Sequence, residues 1–134
     1  MHLDGNHELF AGSIPLGLFR PLSSLHELHM EECGLNSLTN GSFAGLTELK
    51  RLNLRHNMIT CRYGYPCDGL LLEPSFQSLE KLDLTDNYIS SSEDNLSFQG
   101  EIFPNLLYLS LSNNSIEKVS KGLMAGLSSL LYLS

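Results

Sequence analysis

The chain has 134 residues, a hydrophobic fraction of 42%, and a net charge of −7 with a pI near 5.0. These values suit one compact domain or a short repeat array and argue against global disorder. The acidic balance argues against general nucleic-acid binding, which needs cationic surface to displace counterions. No apolar run approaches the roughly 18 residues of a membrane helix. The opening "MHLDGNHELF" shows no basic segment followed by an apolar stretch, so no signal peptide is visible.

In chain order, "LDGN" (Leu3 to Asn6) reads as the end of a strand, and "IPLGLFRPLSSL" (Ile14 to Leu25) as a return segment with Phe19 and Leu22 inward. Then comes "LHELHMEECGL" (Leu25 to Leu35), which follows the template Leu-x-x-Leu-x-Leu-x-x-Asn-x-Leu with Met30 as the third apolar residue and Cys33 in the Asn slot. "LKRLNLRHNMI" from Leu49, "LEKLDLTDNYI" from Leu79 and "LLYLSLSNNSI" from Leu106 repeat it, and "LLYLS" from Leu130 begins another copy. Return segments recur with Phe43 and Leu46, and with Met124 and Leu127. The starts divide the chain into one array over 1–134: a partial coil 1–24, coils 25–48, 49–78, 79–105 and 106–129, and a truncated coil 130–134.

Leu-x-Leu alternates with period two, so each copy predicts a short strand with one buried face. Strands recurring at this period pair in parallel, one per coil, about 4.8 Å apart. The Phe-x-x-Leu-x-x-Leu spacing predicts tight helical turns or irregular backbone on the opposite side. A single coil cannot hide its own leucines, but stacked coils share a continuous core. Asn57, Asn87 and Asn114 predict a buried ladder whose amides satisfy backbone groups at the strand ends. Cys33 replaces one rung as a small apolar residue with a weak donor.

Two coils are longer than the rest. The coil from Leu49 carries extra residues in "TCRYGYPCDG", and the coil from Leu79 carries them in the polar run "SSSEDN". A Cys61–Cys67 disulfide is geometrically reasonable, because the ends of that loop must stay near one coil spacing; two free thiols or half a zinc site with His56 are the alternatives. Asn40, Asn95 and Asn113 each open an N-x-Ser sequence and are N-glycosylation candidates.

Residues between the leucines are expected on the concave face: Glu27, His29, Glu31 and Glu32, then Arg51, Asn53, Arg55 and His56, then Lys81, Asp83, Thr85 and Asp86, then Tyr108, Ser110 and Ser112, and finally Tyr132. Stacking sets Glu27 beside Arg51 and Glu31 beside Arg55. The row reads either as solvated charge ladders or as a polar ligand face with a tyrosine shelf at Tyr108 and Tyr132. His29 and His56 would let this face respond to endosomal acidification. No phosphate loop, His-Glu-x-x-His or nucleophile elbow is present, and no catalytic residue, metal site or cofactor is expected.

The frame Leu-x-x-Leu-x-Leu-x-x-Asn/Cys-x-Leu followed by Phe-x-x-Leu resembles the leucine-rich repeat, in the 24-residue class typical of animal extracellular proteins. Its irregular longer coils look like those of Toll-like receptor ectodomains, although "LFAGSIP" (Leu9 to Pro15) is similar to a phrase of plant receptor repeats. The resemblance implies an α/β solenoid: a right-handed coil with a parallel sheet on the concave face and an irregular or 3-10 convex side. It also implies a non-enzymatic section of an innate immune receptor on the extracellular or endosomal-lumen side. Such a receptor binds a protein or other macromolecular ligand and pairs two ectodomains, with the Cys61–Cys67 loop a candidate contact. A secreted or matrix adhesion protein and a cytosolic interaction scaffold are the rival readings. The chain starts within one coil and stops in another strand, so a section of a longer protein is expected, tied to a membrane only through a C-terminal segment beyond it.

Overall fold

The computed structural model describes residues 1–61, 74–90, 98, 101–119 and 126–134. Five short strands form one parallel sheet in sequence order: β1 (Glu27–His29), β2 (Arg51–Asn53), β3 (Lys81–Asp83), β4 (Tyr108–Ser110) and β5 (Tyr132–Leu133). Their central leucines lie in register, Leu28 with Leu52, Leu52 with Leu82, and Leu82 with Leu109. These four are at most 1% exposed. A parallel bridge from His2 to His29 adds the start of the chain to the β1 edge.

Between successive strands the described parts of the chain return along the convex side through backbone bonds spanning three residues. The N–H groups of Leu46, Leu79 and Leu106 donate to the carbonyls of Phe43, Phe76 and Phe103, and Pro74–Ser78 forms a 3-10 helix. These turns carry a row of buried rings: Phe19, Phe43, Phe76 and Phe103 follow one another at 6.4, 5.4 and 5.7 Å between centroids, with Phe98 beside Phe103 at 5.9 Å. The row changes slot along its length. Phe19 and Phe43 precede the next coil start by six residues, whereas Phe76 and Phe103 precede it by three. A second line of polar rungs fastens the convex side. Ser78, Asn105 and Ser129, each just before a coil start, donate to the carbonyls of Thr47, Gln77 and Pro104 in the coil before.

The fold is a leucine-rich-repeat solenoid, with the sheet on one side and turns on the other. Among the described residues no helix is long and apolar enough to cross a membrane. Met124, Cys67, Asn95 and both expected loop insertions, apart from Thr60, Cys61 and Ser90, lie outside the described residues.

Candidate ligand-binding face

The asparagine ladder holds the rim of the sheet. Asn57 makes five hydrogen bonds: Oδ1 accepts the N–H groups of Cys33 and Leu35, and Nδ2 donates to the carbonyls of Met30, Leu54 and Arg55. Asn87 and Asn114 repeat the scheme, accepting from Ile59 and Ile89 and donating both within their own coil and back to the previous one. Asn57 and Asn87 are buried, while Asn114 is half-buried. Cys33 reproduces only part of this, its thiol donating to Leu3 O at 3.1 Å. Burial pushes that thiol up, so it stays protonated and can donate. Asn6 makes the same local bonds to Leu3 and Asp4 that Asn57 makes to Leu54 and Arg55. It is a further rung, legible in "LDGN" from its place after the strand end.

The residue before each rung takes a left-handed backbone: Gly5 (φ 74°), Glu32 (54°), His56 (52°), Asp86 (56°) and Asn113 (55°). Only one is glycine, although L side chains are strained there. The sequence signal for this turn is weak: Gly5, His56, Asp86 and Asn113 are residue types that favour the left-handed region, whereas Glu32 is not, and no one residue type recurs. The turn's consequence is to end the period-two projection of side chains where the strand ends. Among the described residues no ion pair joins Glu31 to Arg55, the pairing expected from stacking. Glu31 reaches Asn53 Nδ2 at 3.2 Å and His56 Nε2 at 3.6 Å. His56 in turn faces Asp86 at 3.3 Å, and Asp86 accepts from Asn113 Nδ2 at 2.8 Å.

Within the strands the expected neighbours do meet. Glu27 is ion-paired with Arg51. Lys81 Nζ stands 4.5 Å from the centre of the Tyr108 ring, which stacks on Tyr132 at 4.6 Å and 2°. Ser110 differs from its expected place on an open surface. It is 2% exposed, closed over by hydroxyl contacts to Thr85 (2.7 Å) and Ser134 (2.8 Å), while Thr85 also donates to Asp83.

The hydrogen bond and positive charge of Arg51 hold the Glu27 carboxyl below the usual glutamate range. A folded value below the unfolded one stabilises the fold above about pH 4.3, and that contribution disappears as pH falls through the folded value. Carboxyl NMR titration should show Glu27 moving back up toward the ordinary range in Arg51→Gln. An unchanged Glu27 titration would remove Arg51 as the cause.

At the centre of this face a cleft of about 180 Å³ is lined by His29, Arg51, Leu52, Asn53, Arg55, Lys81 and Asp83. Three cations there face one carboxylate. Arg51 and Lys81 are engaged, but Arg55 makes no ion pair among the described residues, and its Nε is buried without a hydrogen bond. A buried guanidinium N–H without an acceptor is costly, and a carboxylate matches its fork.

The leucine rich repeat family model matches residues 1–63 and 77–134. The chain belongs to the leucine-rich repeat family. Among leucine-rich repeat proteins it is similar to osteomodulin of Rattus norvegicus, 31% identical over 96% of this chain and 27% of that protein. It is also similar to Toll-like receptor 7 of Mus musculus, 33% identical over 90% of this chain and 11% of the receptor. Fibromodulin of Sus scrofa is 34% identical over 69% of this chain and 71% of its own length. The chain thus spans about a quarter of osteomodulin's length.

Of the remaining leucine-rich repeat features, Cys61 is disulfide-bonded and Cys33 is free. Cys67, its expected partner, lies outside the described residues, as does Asn95. Asn40 is exposed on a convex turn. Asn113 is exposed, but its amide nitrogen is held by Asp86 and its neighbour Asn114 is a ladder rung.

Proposed function

We propose that the chain is the ligand-binding section of an extracellular leucine-rich repeat protein, holding an acidic segment of a protein partner on its concave face. One observation carries this: Arg55, buried at Nε and without an ion pair among the described residues, lines a cleft where cations outnumber carboxylates three to one. The chain as a whole carries a net charge of −7, so the local excess of cations is set against the global balance and steers acidic groups to one place. The Tyr108–Tyr132 stack beside it offers rigid aromatic surface to the same partner. The disulfide at Cys61 supports an oxidising compartment, as do the relatives, which are matrix proteins or a membrane receptor with an extracellular domain.

A hexaglutamate peptide at low salt is the test probe. It should perturb the NMR resonances of His29, Asn53, Arg55 and Lys81, and Arg55→Gln should weaken it about tenfold, roughly 1.4 kcal/mol. Perturbations confined to the convex turns, or affinity unchanged in Arg55→Gln, would sink the assignment.

The relatives support two parents equally. In one, the chain is part of a Toll-like innate immune receptor whose ectodomains pair on binding ligand, with the Cys61 loop at the contact. In the other, it is part of a matrix leucine-rich protein used in adhesion. The gene downstream of Ser134 separates them: a membrane span with a signalling domain supports the receptor, and further repeats closed by a cap support the matrix protein.

A further inference from the structure

We propose that His2, Asp4 and His29 form a binding site for one divalent transition-metal ion of the zinc class on the concave face. His2 and Asp4 are two residues apart, and their side chains lie on the same side, within contact of each other. His29 is the parallel-bridge partner of His2 on the adjacent strand. Two ligands at i and i+2 with a third across the ladder converge without any change of backbone.

One potential ligand atom from each residue lies within 4.8 Å of the others. The two imidazoles are stacked at 4.1 Å and 22°, and His2 Nδ1 is 3.3 Å from Asp4 Oδ2. Ligand atoms about 2.0 Å from a tetrahedral zinc ion stand roughly 3.3 Å apart. One pair already has that separation. The remaining closure of roughly 1.5 Å is a side-chain rotation for groups open to solvent; the His2, Asp4 and His29 side chains are 70%, 39% and 27% exposed.

The surroundings favour a built site. Backbone bonds pin the two segments together, Leu3 N–H to His29 O at 2.8 Å and His29 N–H to Met1 O at 2.9 Å. Asp4 Oδ1 accepts the Glu31 N–H at 2.8 Å, which orients the carboxylate and leaves Oδ2 facing His2. Glu27 Oε2 stands 3.7 Å from His29 Nε2, in the place of the outer carboxylate that orients a ligating histidine. Two imidazole nitrogens and one carboxylate oxygen select zinc, copper or nickel over calcium and magnesium, which prefer oxygen donors. Three protein ligands leave a fourth position open to water or to a donor from a partner. The site shares His29 with the wall of the Arg55 cleft but uses none of that cleft's arginine or lysine side chains, so zinc uptake does not require the acidic partner proposed above.

Calorimetric titration of the whole chain with zinc chloride, its amino group acetylated to remove that competing donor, is expected to show one saturable site. Cobalt(II) should give the visible absorption of a four-coordinate ion. His2→Gln, Asp4→Asn and His29→Gln should each weaken binding at least tenfold, while His26→Gln, whose ring faces Glu48, should leave it unchanged. Circular dichroism confirms that the exposed substitutions keep the fold. The proposal is overturned by the lack of saturable uptake, or by uptake that persists in a His2→Gln, His29→Gln double variant, which would assign the ion to another histidine such as His56 between Glu31 and Asp86.

Discussion

Asn57→Ala is expected to destabilise the chain by about 4 kcal/mol, from buried polar groups losing their partners at about 1–3 kcal/mol each with partial relaxation. The alanine leaves the N–H groups of Cys33 and Leu35 and the carbonyls of Met30, Leu54 and Arg55 without the amide that joins two coils. Its position is 5% exposed, so water cannot readily replace the lost bonds. Coils contact only their neighbours, so the damage should begin locally. Hydrogen exchange should accelerate first around Cys33 to Leu35, and urea unfolding should give the size of the loss. Asn57→Asp separates the donor and acceptor roles, keeping an acceptor for Cys33 and Leu35 but losing both amide donors. It should be nearly as damaging near neutral pH, where a buried carboxylate would also need to be charged. A loss below about 1 kcal/mol in Asn57→Ala would mean the rung is ornamental rather than a tie between coils.

Phe76→Ala is expected to cost about 3–5 kcal/mol by removing buried ring area and leaving a cavity. Phe76 is fully buried and bridges Phe43 and Phe103, so its loss interrupts the row of rings at its middle. The convex backbone there is a short 3-10 helix with poor intrinsic stability, and packing holds it in place. Phe76→Leu should recover roughly half of the loss, because it refills volume without restoring ring contacts. Denaturant midpoints across the two variants and the parent chain check the order. If alanine and leucine cost the same, ring geometry rather than volume is what the site requires.

The architecture was legible because each coil spells the same burial pattern. Leu28, Leu52, Leu82 and Leu109 are separated by the coil length and alternate with polar neighbours, which leaves parallel stacking as the way to hide them all. The ladder was legible for a similar reason: an amide at one fixed place after β2, β3 and β4 can satisfy the same orphaned backbone groups each time. Within the strands the facing pairs followed too, as Glu27 with Arg51 and Tyr108 with Tyr132 show. The polar rungs at Ser78, Asn105 and Ser129 were present in the text but hidden, because serine and asparagine before a turn are common without any partner.

The candidate sites were less legible. Glu31 and Arg55 occupy stacked slots, yet Glu31 turns to His56, because the left-handed residue before each rung redirects the chain just past the strand. Arg55 is left among the residues lining the cleft with its Nε unbonded and with no ion pair among the described residues. His2 and His29 lie far apart in the chain, and only the docking of the first segment onto β1 brings their rings together. The sequence by itself determined the coil, its parallel sheet and its ladder, since these follow from a burial period repeated along the chain. Which polar side chains meet across the rim was decided by the tertiary structure, because that depends on backbone turns common to every coil but written in no shared residue.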